Sequence, residues 1–254
     1  MVPRRLAEYV ADQLRQRIFS GEMTEGSVLP KQDDLIREFD VGLVTVREAL
    51  RILEVEGLIT VKRGNLGGSI VHRPERWRIA YMLALSLQSQ SVGLADLLKT
   101  VVMLEPLCAA ACANRPDRET KVLPQLNAVL AEQREAIDDP DRFIGLAVKF
   151  HVEMASTCGI ATMSLVLGAL EYVWQAQVDH LARGAERYGA FADRETRLRA
   201  LEDHEHMITL IAAGDAAGAE NAAREHMSES HHRPNRWDHD FDLAIEIDAS
   251  LLRR

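Results

Sequence analysis

Residues 29–71 read LPKQDDLIREFDVGLVTVREALRILEVEGLITVKRGNLGGSIV, and this stretch decides the fold. Leu35, Ile36 and Phe39 make the apolar stripe of one helix, with Pro30 where a first helical turn tolerates it. The interval 40–43 is too short for anything but a tight turn. Val46, Ala49, Leu50, Leu53 and Val55 then continue at helical spacing until Gly57, a helix-stopping residue. The β-prone Leu58-Ile59-Thr60-Val61, a glycine-rich turn over 64–68 and the return Ser69-Ile70-Val71 complete a hairpin wing. Two helices across a tight turn, followed by a hairpin, form a shape that docks in a DNA major groove. Outward from this stretch, Leu6, Val10, Leu14 and Ile18 recur at helical spacing and predict a preceding helix.

VREALRILEVEGLI followed by GGSIV resembles the winged helix-turn-helix of GntR-type bacterial transcription regulators, and GEMTEGSVLP matches that family's turn into its second helix. The resemblance implies that Thr45 and Arg47 reach DNA from the second helix of the motif. It extends the contact surface to Arg51 and to the wing residues Lys62, Arg63, Gly64 and Asn65. Arginine reads guanine bidentately or clamps a phosphate, and sequence does not separate the two. The structural alternative for Arg47 is an ion pair with Glu38 or Glu48. One departure stands out: Gly42-Leu43 occupies the place where many relatives carry Ser-Arg or Thr-Arg. A common DNA contact is therefore missing, which implies an operator unlike the best-known family sequence.

The formal net charge of -9 excludes a protein that coats nucleic acid without selectivity. Through Arg76 the chain carries 12 basic and 12 acidic side chains; the remainder carries 18 and 27. A neutral first half still binds if its cations cluster. Arg47 and Arg51 lie one helical turn apart, and Lys62-Arg63 sit at the wing.

Beyond residue 77 alternating apolar patterns vanish, and breaks near 91–93, 115–117, 138–140, 158–160, 184–189 and 214–215 divide the region into about seven helices. The expected organisation is a winged helix-turn-helix over 1–76, an all-helical effector-binding and dimerisation domain over 77–236, and a tail over 237–254. The fold class is thus mainly α, with a small β-wing and an antiparallel helical bundle. In the tail Phe241, Leu243, Ile245 and Ile247 alternate with polar residues, consistent with a strand-like segment, a dimer arm or disorder. No apolar run reaches the ~20 residues a membrane span requires, and no signal peptide opens the chain. Three cysteines do not suggest a disulfide framework, so a cytoplasmic location is expected.

LEPLCAAACA, KFHVEMASTCG and HEHMITLIAAGDAAGAENAAREHM resemble segments of the FadR-like branch of the same regulators. In that branch the helical domain senses a small molecule, often a carboxylic acid, and many members hold a divalent metal. A periodicity test bears on the metal, since each helical residue advances by ~100°. His151 lies at the edge of the face made by Phe143, Ala147, Phe150 and Met154. His204 falls inside the arc of Leu198, Leu201, Ile208 and Ile211, while His206 points away. His226 is central to Ala219, Ala222, Ala223 and Ser230, with His231 and His232 off that face. Three helices each turn one histidine inward, and imidazole is the commonest transition-metal ligand, zinc being the ion expected. The alternative is three core histidines satisfied by hydrogen bonds. Ala147 stands where metal-binding relatives place an aspartate, so the set lacks a carboxylate.

Glu105 shares a face with Leu94, Val101, Cys108 and Cys112, and its buried carboxylate needs a partner, an arginine being the expectation and a ligand the alternative. Gln177 lies among Met163, Leu170, Trp174 and Leu181 and serves either a ligand or the backbone. Relatives often hold a ligand carboxylate with an arginine where this chain has Val101. The reading is a homodimeric, effector-gated repressor of a near-palindromic operator, its effector an organic acid, and not an enzyme. A helical metallohydrolase with an appended winged helix competes with it, because three histidines with an open position suit a zinc-bound water. A winged-helix protein-interaction module without DNA binding is the third reading; the cation cluster argues against it.

Overall fold

Three helices, α1 (Pro3–Phe19), α2 (Gln32–Phe39) and α3 (Leu43–Val55), precede the antiparallel strands β1 (Ile59–Val61) and β2 (Ser69–Val71). The computed structural model describes residues 3–62, 68–184, 193–231 and 245. The chain forms two compact units, residues 1–78 and 79–254. In the first, Val10 and Leu14 of α1, Leu35 of α2 and Val46, Leu50 and Leu53 of α3 close over Ile59 and Val71 of the wing. Burying each such aliphatic side chain stabilises the unit by at most ~1.5–3 kcal/mol.

The sequence places Pro30 inside the first turn of α2, but that helix begins at Gln32 and Lys31 is its extended N-cap. The reason is local. A residue before proline is pushed towards extended backbone, and Leu29 uses that conformation to donate its amide to Ser69 O at 2.8 Å. Val28 bridges Ile70, so this segment flanks the wing as a third short strand-like piece. Gly57 ends α3 in the left-handed region at φ 76°. Gly57 N donates to Glu54 O and Leu58 N to Leu53 O, the paired bonds that close a helix C-terminus. Val55 does not join the apolar stripe. It lies two residues beyond Leu53, on the far side of the helix, and is 72% exposed.

The second unit continues through α4 (Arg76–Ser89), α5 (Leu94–Asn114), α6 (Arg118–Lys121), α7 (Leu123–Glu135), α8 (Pro140–Thr157), α9 (Ala161–Gly184), α10 (Arg194–Ala213) and α11 (Ala216–His231). Among the described residues this is one helix more than expected, because α6 and α7 are separate. Pro124 has no amide to extend the preceding turn and sits in the first turn of α7, so the chain breaks at Val122. The remaining breaks fall where glycine, proline and capping aspartates stand. Asp139 accepts from Arg142 N, Asp193 accepts from Thr196 N, and Gly214 closes α10 at φ 72°. In the tail, Ile245 is fully buried in the core of this unit and its amide donates to Val92 O at 3.3 Å. The other tail residues, Phe241, Leu243 and Ile247 among them, lie outside the described residues.

Cys108, Cys112 and Cys158 are free and buried. Burial pushes the Cys112 thiol up to about 12, a shift only partly offset by Thr157, and it raises Cys108 further, with Cys158 adding to the shift. A raised thiol holds little thiolate at neutral pH and reacts slowly. An aromatic disulfide reagent is therefore expected to titrate none of the three in native protein and all three after unfolding in guanidinium. Reaction of Cys108 or Cys112 within seconds in the native state would contradict the burial described.

Candidate functional site

The first candidate surface is α3. Val46, Ala49, Leu50 and Leu53 anchor one side of this helix, which leaves Val44, Arg47, Arg51 and Val55 along the other. Arg47 is exposed, and its Nε donates to Gln32 Oε1 at 3.5 Å. Neither carboxylate considered for it pairs with it: Glu38 accepts from Arg17 and Glu48 from Arg51. Arg51 is held one turn from its carboxylate at 3.0 Å, an exposed pair screened by solvent and easily exchanged for another anion. Thr45 is half-buried and Lys62 exposed at the end of β1. Arg63, Gly64 and Asn65 lie outside the described residues. Sequence reasoning missed Val44, which is 81% exposed at the start of α3. Its spacing from Arg47 was the available signal.

An ion pair and a hydrogen bond join α3 to its neighbours in addition to the core. Arg15 of α1 bridges to Glu56 at 2.7 Å, and Glu54 Oε1 accepts the Val61 amide at 3.0 Å. Glu54 thus ties the last turn of α3 to the end of β1.

The second candidate surface is inside the helical unit. His151 of α8, His204 of α10 and His226 of α11 converge, with one ligand atom from each lying within 4.8 Å of the others. Among the described residues no carboxylate or thiol joins that group. His206 is exposed, as its arc requires. Ala147, one turn before His151, is partly buried against the same core and offers only a methyl group.

Each ring is held by its Nδ1. Glu105 of α5 accepts from His151 Nδ1, Gln133 Oε1 of α7 from His204 Nδ1 at 2.9 Å, and Asp203 Oδ2 of α10 from His226 Nδ1 at 2.9 Å. A carboxylate oxygen can only accept, so the rings of His151 and His226 donate from Nδ1 to Glu105 and Asp203; with Gln133 Oε1 facing His204 Nδ1 the same holds for His204, and Gln133 Nε2 is then buried without a partner. His204 Nε2 is buried with no hydrogen-bond partner. Phe150 stacks flat on the His204 ring, centroids 4.0 Å apart, and fixes its plane. Burial, with His226 and His151 close by, holds His204 well below the usual imidazole range. At His151 burial also opposes the charged form, but the charge and bond of Glu105 outweigh it and raise the group. The donor set thus suits an ion of the divalent transition type: three imidazoles oriented by acceptors behind them, one with its Nε2 lone pair orphaned and one, His151, whose proton a bound ion would have to displace.

Glu105 was expected to pair with an arginine; its partner is His151. The sequence showed that Glu105 points inward but not which helix it meets. A second buried carboxylate, Glu171 of α9, was not foreseen. It is pushed up to about 8 by burial, with the Glu105 charge adding to the rise and His151 opposing it. Gln177 is buried further along α9, and Val101 is buried on α5.

Comparison with known proteins gives two family matches. The profile described as bacterial regulatory proteins, gntR family, matches residues 6–66, and that of the FCD domain matches residues 96–229. The Uxu operon regulator of Haemophilus influenzae is 25% identical over 84% of this chain and 76% of its own length. The HTH-type transcriptional repressor NanR of Klebsiella aerogenes is 29% identical over 70% of this chain and 71% of its own. Among solved structures, Streptococcus agalactiae GntR superposes with a TM-score of 0.64 at 24% identity, covering 88% of this chain and 98% of that one, a likeness of fold.

Proposed function

The chain belongs to the gntR family of bacterial regulatory proteins, with an FCD domain as its second half, and from that premise we propose that it represses transcription as a homodimer released from its operator by a small molecule. Members of the family are transcription regulators and not enzymes, so the metallohydrolase reading has no support. The helix-turn-helix implies DNA as a partner and the FCD domain a small-molecule effector. No described helix is long and apolar enough to cross a membrane.

On this reading α3 enters the major groove. Arg47 contacts a base edge or the adjoining phosphate, Thr45 and Arg51 add contacts on either side, and Lys62 with Arg63, Gly64 and Asn65 lays the wing along the backbone. Two copies related by a two-fold axis read a near-palindromic site.

In the sensor, His151, His204 and His226 would hold a divalent ion, zinc by ligand type, which would supply positive charge for an effector to meet. The observation that carries this assignment is the orphaned, buried Nε2 of His204 beside two further imidazoles, each held by Nδ1. Left without a partner, such a nitrogen costs about 1–3 kcal/mol. Glu105, Gln133 and Asp203 keep the three rings in the binding tautomer. Gln177 and Glu105 line the effector pocket alongside. Val101 brings methyl groups rather than a cation to that space, which removes one basis for a simple carboxylate effector.

Titrating the purified protein against the DNA upstream of its own gene, at low and at physiological salt, tests the reading. Selective binding that weakens steeply with salt is expected, since phosphate contacts release counterions. Equal affinity for that DNA and for a shuffled duplex at every salt concentration would overturn it.

A further inference from the structure

Val44, the second residue of α3, is 81% exposed, more than any other large apolar side chain among the described residues. Val46, Ala49, Leu50 and Leu53 close the core from the other side of the helix, so Val44 adds nothing to the packing there. Valine is also a poorer helix former than alanine or leucine, and on an exposed helical face it gains nothing in return. It stands three residues before Arg47, and side chains at that spacing are neighbours on one face. The helix start around it is bare. Gly42, the N-cap, has φ −75°, which suits any residue, and a Cβ added to it would meet nothing within 4 Å. Neither backbone strain nor a close contact demands glycine at that place.

A hydrocarbon side chain carries no charge for a phosphate and no donor or acceptor for a base edge. In the major groove one group answers to it, the 5-methyl of thymine. Set against the amino group of cytosine or the O6 of guanine, the same side chain would strip water from polar atoms and give no bond back. A β-branched side chain also holds one strongly preferred χ1 rotamer in a helix, so Val44 meets a base with little motion left to lose. In a helix-turn-helix the N-terminal residues of the second helix are the ones that contact base edges.

We propose that Val44 is a specificity-determining residue, reading a thymine in each half-site of the operator through its 5-methyl group. This rests on α3 entering the major groove and names a base that its exposed face selects. Val44 sets one position of each half-site to thymine and contributes nothing to phosphate binding.

Selection of the full chain against a random duplex pool gives its preferred site. Each selected thymine, with its symmetry mate, is then replaced by deoxyuridine, which keeps every pairing group and removes only the methyl. At one such position the wild type is expected to lose affinity about fifteenfold, about fourfold per half-site, the worth of one methyl group taken out of water. Val44→Ala is expected to keep the wild-type Tm, since no core contact is lost, and to bind the thymine and uracil duplexes equally at that position. In its own selection that position loses its preference for thymine.

Equal affinity of the wild type for uracil at every selected thymine would overturn the proposal, as would a preferred site in which no thymine is selected. A uracil effect that persists undiminished in Val44→Ala assigns the methyl contact to another side chain and overturns it as well. A lowered Tm of Val44→Ala, with uniform weakening on all duplexes, would assign Val44 a structural role instead. Selective binding with no uracil effect overturns this inference alone, whereas a wild type that binds its selected site no better than a shuffled duplex overturns the regulator reading beneath it.

Discussion

Arg47→Ala is expected to abolish selective operator binding while leaving the protein folded. Arg47 lies on the exposed side of α3, opposite the buried Val46, Ala49, Leu50 and Leu53, so its removal opens no cavity. Among the described residues its hydrogen-bond partner is Gln32, across a long 3.5 Å bond that contributes little stability. A bidentate arginine contact to a base carries about 1–3 kcal/mol of discrimination. A two-fold symmetric dimer loses that contact twice, so affinity for the operator should fall roughly thirtyfold or more. The salt dependence identifies the partner atom. A lost base contact lowers selectivity and leaves the salt slope unchanged; a lost phosphate contact weakens all duplexes alike and reduces the slope by about 1 per contact. Leu43→Ala is the control, because leucine offers only apolar contact there. Mobility-shift titrations across salt concentrations decide between them. Unchanged affinity and selectivity in Arg47→Ala would remove this helix face from the DNA interface.

The sequence disclosed what depends on local periodicity. The buried side of α3 save Val55, the inward histidines of α8, α10 and α11, and the outward His206 all follow from the turn angle of a helix, and the structure agrees at each of them. The short breaks were legible for the same reason, since glycine, proline and capping aspartate act within a few residues of themselves. Contacts between elements far apart in sequence were not legible. Glu105 and His151 are 46 residues apart, and Gln133 and His204 are 71 apart. No spacing rule connects them, so the arginine expected at Glu105 could only be replaced once α5 and α8 were seen side by side. Glu171 gave no signal of its own. A carboxylate inside an alanine- and leucine-rich helix reads as solvent-facing unless the helix is known to be covered, and α9 is covered along that side. Pro30 failed differently: the rule admitting proline to a first helical turn was sound, but pairing of Leu29 with Ser69 competed for the same backbone and won.

Metal content gives the second large effect. His204→Ala and His226→Ala are each expected to strip the centre of its ion, whereas His206→Ala is expected to leave it loaded. Binding an ion through three nitrogens links its affinity to folding, so losing one ligand lowers both occupancy and the stability that occupancy confers. In the wild type, chelator should therefore lower Tm and added zinc should restore it. In His204→Ala chelator should change nothing. Asp203→Ala, which removes the acceptor behind His226 without touching a ligand, should cost about 10–100-fold in metal affinity. Ala147→Asp runs the other way. It puts a carboxylate one helical turn before His151, where a methyl group now stands, and a fourth, anionic ligand should tighten the site. The partly buried position of Ala147 leaves room for the larger side chain at modest cost in packing. Elemental analysis by mass spectrometry, run beside melting curves with and without chelator, reads all five variants. If the wild type is metal-free and indifferent to zinc, and Ala147→Asp is the same, the three imidazoles form a polar pocket that meets the effector by hydrogen bonds. The free Nε2 of His204 would then accept from the ligand itself.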